Sequence, residues 1–305
     1  MVAAEEPLVE LLRLLKDARY RFVTVTPATH ARVLSRPPKA PLGLTDIFGW
    51  NRPFSPDDLS PSLMALLRAA DALEPRQGEL RSRVRVASLG DDLLLHGAFP
   101  TDGPEAVFFG PDTYRFARFV RHRLPKLGEA DWLVDMGAGS GAGAIAASRA
   151  RGFGRVTLVD VNDAALRLAA LNAAAAQVPA EILLSDTIPR GAQLVIANPP
   201  YMMDTLGRAY RDGGDLLGGA VCLRWAKQAL AGLAPGGTLL LYTGAAYVDG
   251  RAPLLDALAR ACVEAGSSLE LDEIDPDMFG DELEQPGYAN VDRIAAVGAS
   301  ITVPA

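Results

Sequence analysis

From Asp131 onward the chain alternates short apolar strands with helices, and each of the first four strands closes on a polar side chain. Leu133-Val134-Asp135-Met136 runs into Gly137-Ala138-Gly139-Ser140-Gly141, and Val156 to Val159 ends in Asp160. Glu181 to Leu184 leads into Ser185-Asp186, and Leu194 to Ala197 into Asn198-Pro199-Pro200-Tyr201. Strands alternating with helices build a parallel sheet covered on both faces, which predicts a doubly wound α/β architecture. In such sheets ligands bind just beyond the carboxyl ends of the strands. Four ligand-competent side chains at four consecutive strand ends therefore predict a binding cleft.

Each strand end carries its own chemistry. The glycines of the first turn let a ligand approach the backbone, and the helix that follows offers free N–H groups. Asp160 stands 19 residues after Gly141, the right distance for a carboxylate that accepts both hydroxyls of a ribose. An NAD-binding fold shares these two features but has no use for Asp186 or Asn198. Asp135 also argues against it, since a carboxylate repels a pyrophosphate and attracts a cationic amino acid group. In Asn198 to Tyr201 two prolines fix φ, remove two donors and push their predecessors out of the helical region. The result is a stiff tip holding one amide, free carbonyls and one aromatic ring, suited to clamp a flat group bearing an NH2. The bland alternative is a Pro-Pro surface turn with a capping Asn.

Val134 to Gly141, Asp160, Ser185-Asp186 and Asn198 to Tyr201 resemble the class I S-adenosylmethionine-dependent methyltransferases. The Asn-Pro-Pro-Tyr ending resembles their N-methylating branch, which includes release-factor glutamine methyltransferases and enzymes that methylate amino groups of nucleobases. The resemblance covers roughly residues 105–305. It implies a seven-stranded Rossmann-like domain binding S-adenosyl-L-methionine, with Gly137, Ala138, Gly139 and Gly141 against the methionine part. It implies that Asp160, followed by Val161, holds the ribose, that Ser185-Asp186 meets the adenine, and that Asp135 orients the turn or the cofactor ammonium. The segment Phe109 to Tyr114, including Thr113, falls where related enzymes wrap the amino acid end. Asn198, Pro199 and Tyr201 are then the catalytic set. Asn198 Oδ1 and the Pro199 carbonyl accept the two N–H groups of a planar nitrogen, and Tyr201 stacks on it. These acceptors matter most once positive charge develops on that nitrogen.

The first third reads differently. Leu8, Leu11, Leu12 and Leu15 predict an amphipathic helix, and Thr26-Pro27 and Ser60-Pro61 are helix-start signals. The stripe Leu63, Leu66, Leu67, Ala70 and Leu73 extends the helix opened by Ser60, and Arg36 to Phe54 is expected to be irregular and anchored by Phe48, Trp50 and Phe54. Arg83 to Ala87 and Leu93 to Ala98 form a hairpin, so residues 1–104 resemble a winged-helix-like α+β module ahead of a catalytic domain at 105–305. Asp112 or Thr113 is the expected cap of the helix after the joint. If the methyl acceptor is nucleic acid, its phosphates must meet Arg83, Arg85, Arg115 or Arg118. The glycine-rich Asp212 to Gly219 reads as a mobile lid or as a structural loop.

Charge restricts the partners. Through residue 127 there are 18 basic against 15 acidic residues, and beyond it 12 against 22. The acidic C-terminal part is unsuited to non-specific nucleic-acid binding. No signal peptide or membrane span is recognisable, Cys222 and Cys262 read as reduced core residues, and the expected location is cytoplasmic. Three dispersed histidines give no metal-ligand spacing. The acceptor is left open between a protein glutamine, a nucleobase amine and a small metabolite. The competing class is a winged-helix binding protein with a vestigial methyltransferase domain.

Overall fold

A computed structural model describes residues 6–305 apart from 40, 102, 104, 205–207 and 209. The expected domain boundary after residue 104 touches one of the residues outside this set.

The first third holds helices α1 (Glu6–Asp17), α2 (Pro27–Leu34) and α3 (Pro61–Ala69) and two hairpins, β1 (Leu73–Arg76) with β2 (Glu79–Ser82) and β3 (Val84–Leu89) with β4 (Asp92–Gly97). The caps are as the sequence suggests: Thr26 Oγ1 accepts from Thr29 N, and Ser60 Oγ from Leu63 N. Leu73 departs from expectation. The helix closes at Ala70, Asp71 takes φ +50°, and Leu73 opens β1. Arg21 to Val25, β-prone by composition, forms no strand but lies along β3, with Ser88 N donating to the Phe22 carbonyl.

Next come α4 (Pro111–Arg123), β5 (Trp132–Met136), α5 (Ala142–Ala150), β6 (Arg155–Asp160), α6 (Asp163–Ala175), β7 (Glu181–Leu184) and β8 (Leu194–Ala197). The chain ends with α7 (Ala220–Gly232), β9 (Thr238–Tyr247), α8 (Pro253–Glu264), β10 (Ser268–Asp275) and β11 (Arg293–Thr302). Strands β5 to β11 form one seven-stranded sheet in the order β10-β11-β9-β8-β5-β6-β7, with β11 antiparallel to both neighbours. This is the class I Rossmann-like methyltransferase fold. Helices α4, α5 and α6 pack on one face; α7 and α8, carrying the free, buried Cys222 and Cys262, cover the other. The chain leaves β5 toward β6 and β7 and returns on the far side through β8. The sheet order reverses between β5 and β8, where their carboxyl ends open a crevice. Register places Met136 opposite Ala197, so the Gly137 turn and Asn198 emerge side by side.

The β3–β4 hairpin, the wing of the winged-helix-like reading, packs against the large sheet instead of standing open. A wing reaches into solvent, whereas every residue of β3 and all but the last of β4 are buried. Alternation divides the hairpin between two cores: Val84, Val86, Leu93 and Leu95 join the core of the first third, and Ala87, Leu89 and Leu94 the core of the large sheet. Asn172 of α6 fastens it, accepting from Leu95 N at 2.7 Å and donating to the Leu95 and Ser140 carbonyls at 2.9 Å each. Arg85, expected to face phosphate, is only 4% exposed and donates to the Gly49 carbonyl at 3.0 Å. Arg115 lies between Asp112 at 3.2 Å and Asp275 at 3.0 Å. The basic path drawn from the sequence is therefore broken at two of its four arginines. Among the described residues no helix is long and apolar enough to cross a membrane.

Candidate active site

The turn after β5 is held open by its neighbours. Gly137, Gly139 and Gly141 all have positive φ, at 71°, 55° and 76°, a region costly to side chains. Gly137 N and Ala138 N donate to the Val159 carbonyl at 2.8 and 3.0 Å, which ties the turn to β6. A Cβ on Gly137 would stand 2.7 Å from the Trp225 ring. Asp160 closes the turn from the next strand, accepting from Gly139 N through Oδ2 and from Asn162 N through Oδ1, both at 2.9 Å. A carboxylate has about four acceptor positions, so roughly two remain. Burial pushes its carboxyl above the ordinary range, and the backbone N–H groups pull it back.

Asp135 is 1% exposed and accepts from Ala144 N at 2.7 Å in the first turn of α5. Gly143 makes room for it, because a Cβ there would lie 2.9 Å from its Oδ2. Burial drives the Asp135 carboxyl up to about 7; the Ala144 N–H opposes the shift and the charge of Asp160 reinforces it.

These groups border a cavity of about 320 Å³ beyond the ends of β5 and β6. Thr113, Asp135, Gly137, Ala138, Gly139, Asp160, Val161, Asp186 and Asn198 all reach it. Gly141 and Ser185 do not line it. Gly141 instead provides the close approach of the turn to α6, where a Cβ would meet Ala169 at 3.3 Å. Ser185 turns away to Thr187, with Oγ atoms 2.9 Å apart. Trp225, which sequence reading missed, also lines this cavity, and its Nε1 is buried with no hydrogen-bond partner among the described residues. Its place at helical spacing within α7 gave no signal beyond that of an ordinary core residue.

A second cavity of about 570 Å³ adjoins the first. Pro199 and Tyr201 line this one, together with Pro27 and Ala31 of α2, Asp112 and Phe279. Asn198, Phe108 and Tyr210 line both cavities, alone among the described residues. Asn198 Oδ1 is buried there without a hydrogen-bond partner among the described residues. A buried amide oxygen left unsatisfied costs on the order of 1–3 kcal/mol, so this acceptor is poised for a ligand donor.

Tyr201 is more enclosed than expected. It is 9% exposed, a Cβ on Gly244 would reach its ring at 2.6 Å, and Tyr242 and Phe279 flank it at 6.3 and 6.1 Å. Its hydroxyl lies beside Asp112, which also accepts from Tyr242 Oη at 3.0 Å. Asp112 is thus no helix cap. Gly110 takes that position, and Thr113 Oγ1 accepts from Gly110 N. Burial raises the Asp112 carboxyl, while Tyr242, Tyr201 and Arg115 counter it. The glycines after Asp212 serve close packing. A Cβ on Gly213 would fall 1.8 Å from the Gly218 carbonyl, and one on Gly218 2.4 Å from that of Tyr201. Gly213 N donates to the Met202 carbonyl at 2.8 Å, so this loop is clasped to the Asn-Pro-Pro-Tyr tip. The arginines of the second cavity are neutralised, Arg208 by Asp204 and Arg211 by Asp204 and Glu282.

Residues 116–246 match the family model described as methyltransferase small domain. A release factor glutamine methyltransferase of Koribacter versatilis is 31% identical over 165 residues, covering 48% of this chain and 58% of that protein. One of Cereibacter sphaeroides is 36% identical over 151 residues, covering 43% and 54%. The chain thus spans about half the length of the curated relatives it matches. Among solved structures, Trm5b from Pyrococcus abyssi superposes with a TM-score of 0.50 at 14% identity, covering 80% of this chain and 68% of that one, a likeness of fold.

Proposed function

We propose that this protein is an S-adenosyl-L-methionine-dependent N-methyltransferase, and that its acceptor is a planar nitrogen, foremost the side-chain carboxamide of a protein glutamine. One observation carries the reading: a buried amide oxygen with no partner among the described residues, Asn198 Oδ1, stands where two cavities meet. The first cavity takes the donor and the second the acceptor. The two relatives named release factor glutamine methyltransferase favour the carboxamide over a nucleobase. So do the burial of Arg85 and the pairing of Arg115 with Asp112 and Asp275, which withhold both from a phosphate backbone.

The residues present fit the cofactor. Asp160 keeps lone pairs for the ribose hydroxyls, Asp186 faces the adenine amino group, and Val161 gives the adenine an apolar neighbour. The Gly137–Gly139 backbone, Thr113 and Asp135 receive the methionine end, and a cationic ammonium there stabilises the ionised form of Asp135. The bound cofactor supplies an electrophilic methyl on a sulfonium whose departure leaves a neutral thioether. The chain's part is to orient the acceptor. Asn198 Oδ1 and the Pro199 carbonyl accept its two N–H groups and draw the nitrogen lone pair out of conjugation. Their hold strengthens as the nitrogen becomes cationic, so it lowers the barrier more than it tightens ground-state binding. The two prolines keep both acceptors fixed, so little reorganisation accompanies the reaction.

In the first third α2 walls the acceptor cavity, in place of an open nucleic-acid-binding wing. The free cysteines are in keeping with a cytoplasmic location. Calorimetric titration with S-adenosyl-L-methionine tests the donor site: saturable binding that Asp160→Ala weakens supports it, and no binding at millimolar cofactor rejects it.

A further inference from the structure

The plane of the acceptor has to be held by an aromatic surface, and Tyr201 is poorly placed to provide it. Its ring rests on Gly244 and is flanked by two other rings, and its hydroxyl is engaged at Asp112. Two other rings meet the requirement. Phe108 and Tyr210 are half-buried, stack at 5.5 Å between centroids with only 4° between their planes, and line both cavities alongside Asn198. They come from separate parts of the chain, one just before α4 and one in the segment after the Asn-Pro-Pro-Tyr tip. Tyr210 is fixed from two sides: its hydroxyl donates to the Thr101 carbonyl at 2.8 Å, and the Arg208 guanidinium lies 5.8 Å from its ring centre.

We propose that Phe108 and Tyr210 are the specificity-determining pair of the acceptor site, and that an uncharged planar group bearing an NH2 adds to their stack as a further layer. The placement follows from the cavities. Transfer occurs where donor and acceptor spaces join, and Phe108, Tyr210 and Asn198 border that junction. Asn198 supplies the hydrogen-bond acceptor and the ring pair supplies the plane, so a group that is both flat and an N–H donor is selected over a flexible alkyl amine. The charges agree. Arg208 and Arg211 are matched by Asp204 and Glu282, and Asp112 by Arg115, so among the described residues the cavity has neither an excess cation for a phosphate nor an excess anion for an ammonium. Tyr201 becomes a positioning residue that braces the tip carrying Asn198. This inference rests on the proposed methyltransferase reading and assigns the acceptor contacts within it.

The test uses the full chain saturated with S-adenosylhomocysteine, with benzamide as the flat carboxamide and n-butylamine as the flexible cation, titrated by ligand-observed NMR. Benzamide binds the wild type and n-butylamine does not. Tyr210→Ala and Phe108→Ala each weaken benzamide by roughly tenfold to a hundredfold, the range for losing one aromatic stacking partner. Tyr210→Phe stays within about threefold of wild type, since the ring rather than the hydroxyl carries the contact. Circular dichroism confirms that Tyr210→Ala is folded, and calorimetry gives the S-adenosylhomocysteine concentration that keeps its donor site saturated. Benzamide affinity unchanged by Tyr210→Ala, or no benzamide binding to the loaded wild type, overturns the assignment and leaves the donor site standing. Failure of the wild type to bind S-adenosylhomocysteine overturns the methyltransferase reading, and this assignment with it.

Discussion

Asp135→Asn separates the stability of the fold from its use of the cofactor. The Asp135 carboxyl is buried, accepts one backbone N–H and lies near the charge of Asp160, and its pKa stands at about 7 against an ordinary 3.8. A group whose folded pKa is raised is more protonated in the folded state between those two values. Stability therefore falls as pH climbs from about 4 to about 7 and levels off above, the reverse of a salt-bridged aspartate. A gap of about three units corresponds to on the order of 4 kcal/mol at pH 8. Asn retains the oxygen that accepts from Ala144 N without the charge, so the ligand-free variant should be more stable than wild type at pH 8 by up to that amount. For a chain of this size that is roughly 6–10 °C in melting temperature. At pH 4 the two should melt together. The cationic end of S-adenosyl-L-methionine should restore the wild type at pH 8 and do little for the variant. Thermal denaturation at both pH values, with and without cofactor, measures all four quantities. A difference between variant and wild type that is the same at pH 4 and pH 8 refutes the buried-charge argument.

Three further outcomes follow from the geometry. Asp160→Ala removes the acceptor for Gly139 N and the ribose ligand together, and should weaken cofactor binding roughly tenfold to a hundredfold in a calorimetric titration; unchanged affinity contradicts the assignment. Gly244→Ala places a Cβ 2.6 Å from the Tyr201 ring, which neither Gly244 nor Tyr201 can avoid without moving the tip. Methyl transfer should drop at least about tenfold with cofactor affinity preserved, and parallel loss of both places Tyr201 in the donor site instead. Asn172→Leu strips three buried backbone groups, Leu95 N and the Leu95 and Ser140 carbonyls, of their partner. At about 1–3 kcal/mol for each, denaturant unfolding should register a loss of at least about 3 kcal/mol, and a loss below about 1 contradicts the account of the hairpin.

The large sheet was legible in the sequence because its signals are local. Apolar runs of four to six residues, polar strand ends and a Gly-rich turn identify β5, β6, β7 and β8 within a residue or so, and with them Asp135, Asp160, Asp186 and Asn198. What escaped depends on contacts distant in sequence. Leu73 continues a helical stripe, and only the left-handed turn at Asp71 and pairing with Ser82 make it a strand. Arg85 reads as a surface cation until His30 and the Gly49 carbonyl close around it. Ser185 and Asp186 are adjacent, yet one turns to Thr187 and the other to the cavity, a choice made by turn chemistry rather than periodicity. Tyr210 carries no motif. Its importance comes from meeting Phe108 across a hundred residues of chain.

The central claim is that Asn198 acts on a planar nitrogen. It is tested most directly by incubating wild type and Asn198→Ala with cell extract and methyl-labelled S-adenosyl-L-methionine, then locating the label by mass spectrometry. The account predicts label on a carboxamide nitrogen of a protein with the wild type. With Asn198→Ala it predicts at least a hundredfold less product, at cofactor affinity within about twofold of wild type. Label on oxygen or carbon, or an Asn198→Ala variant as active as wild type, contradicts it.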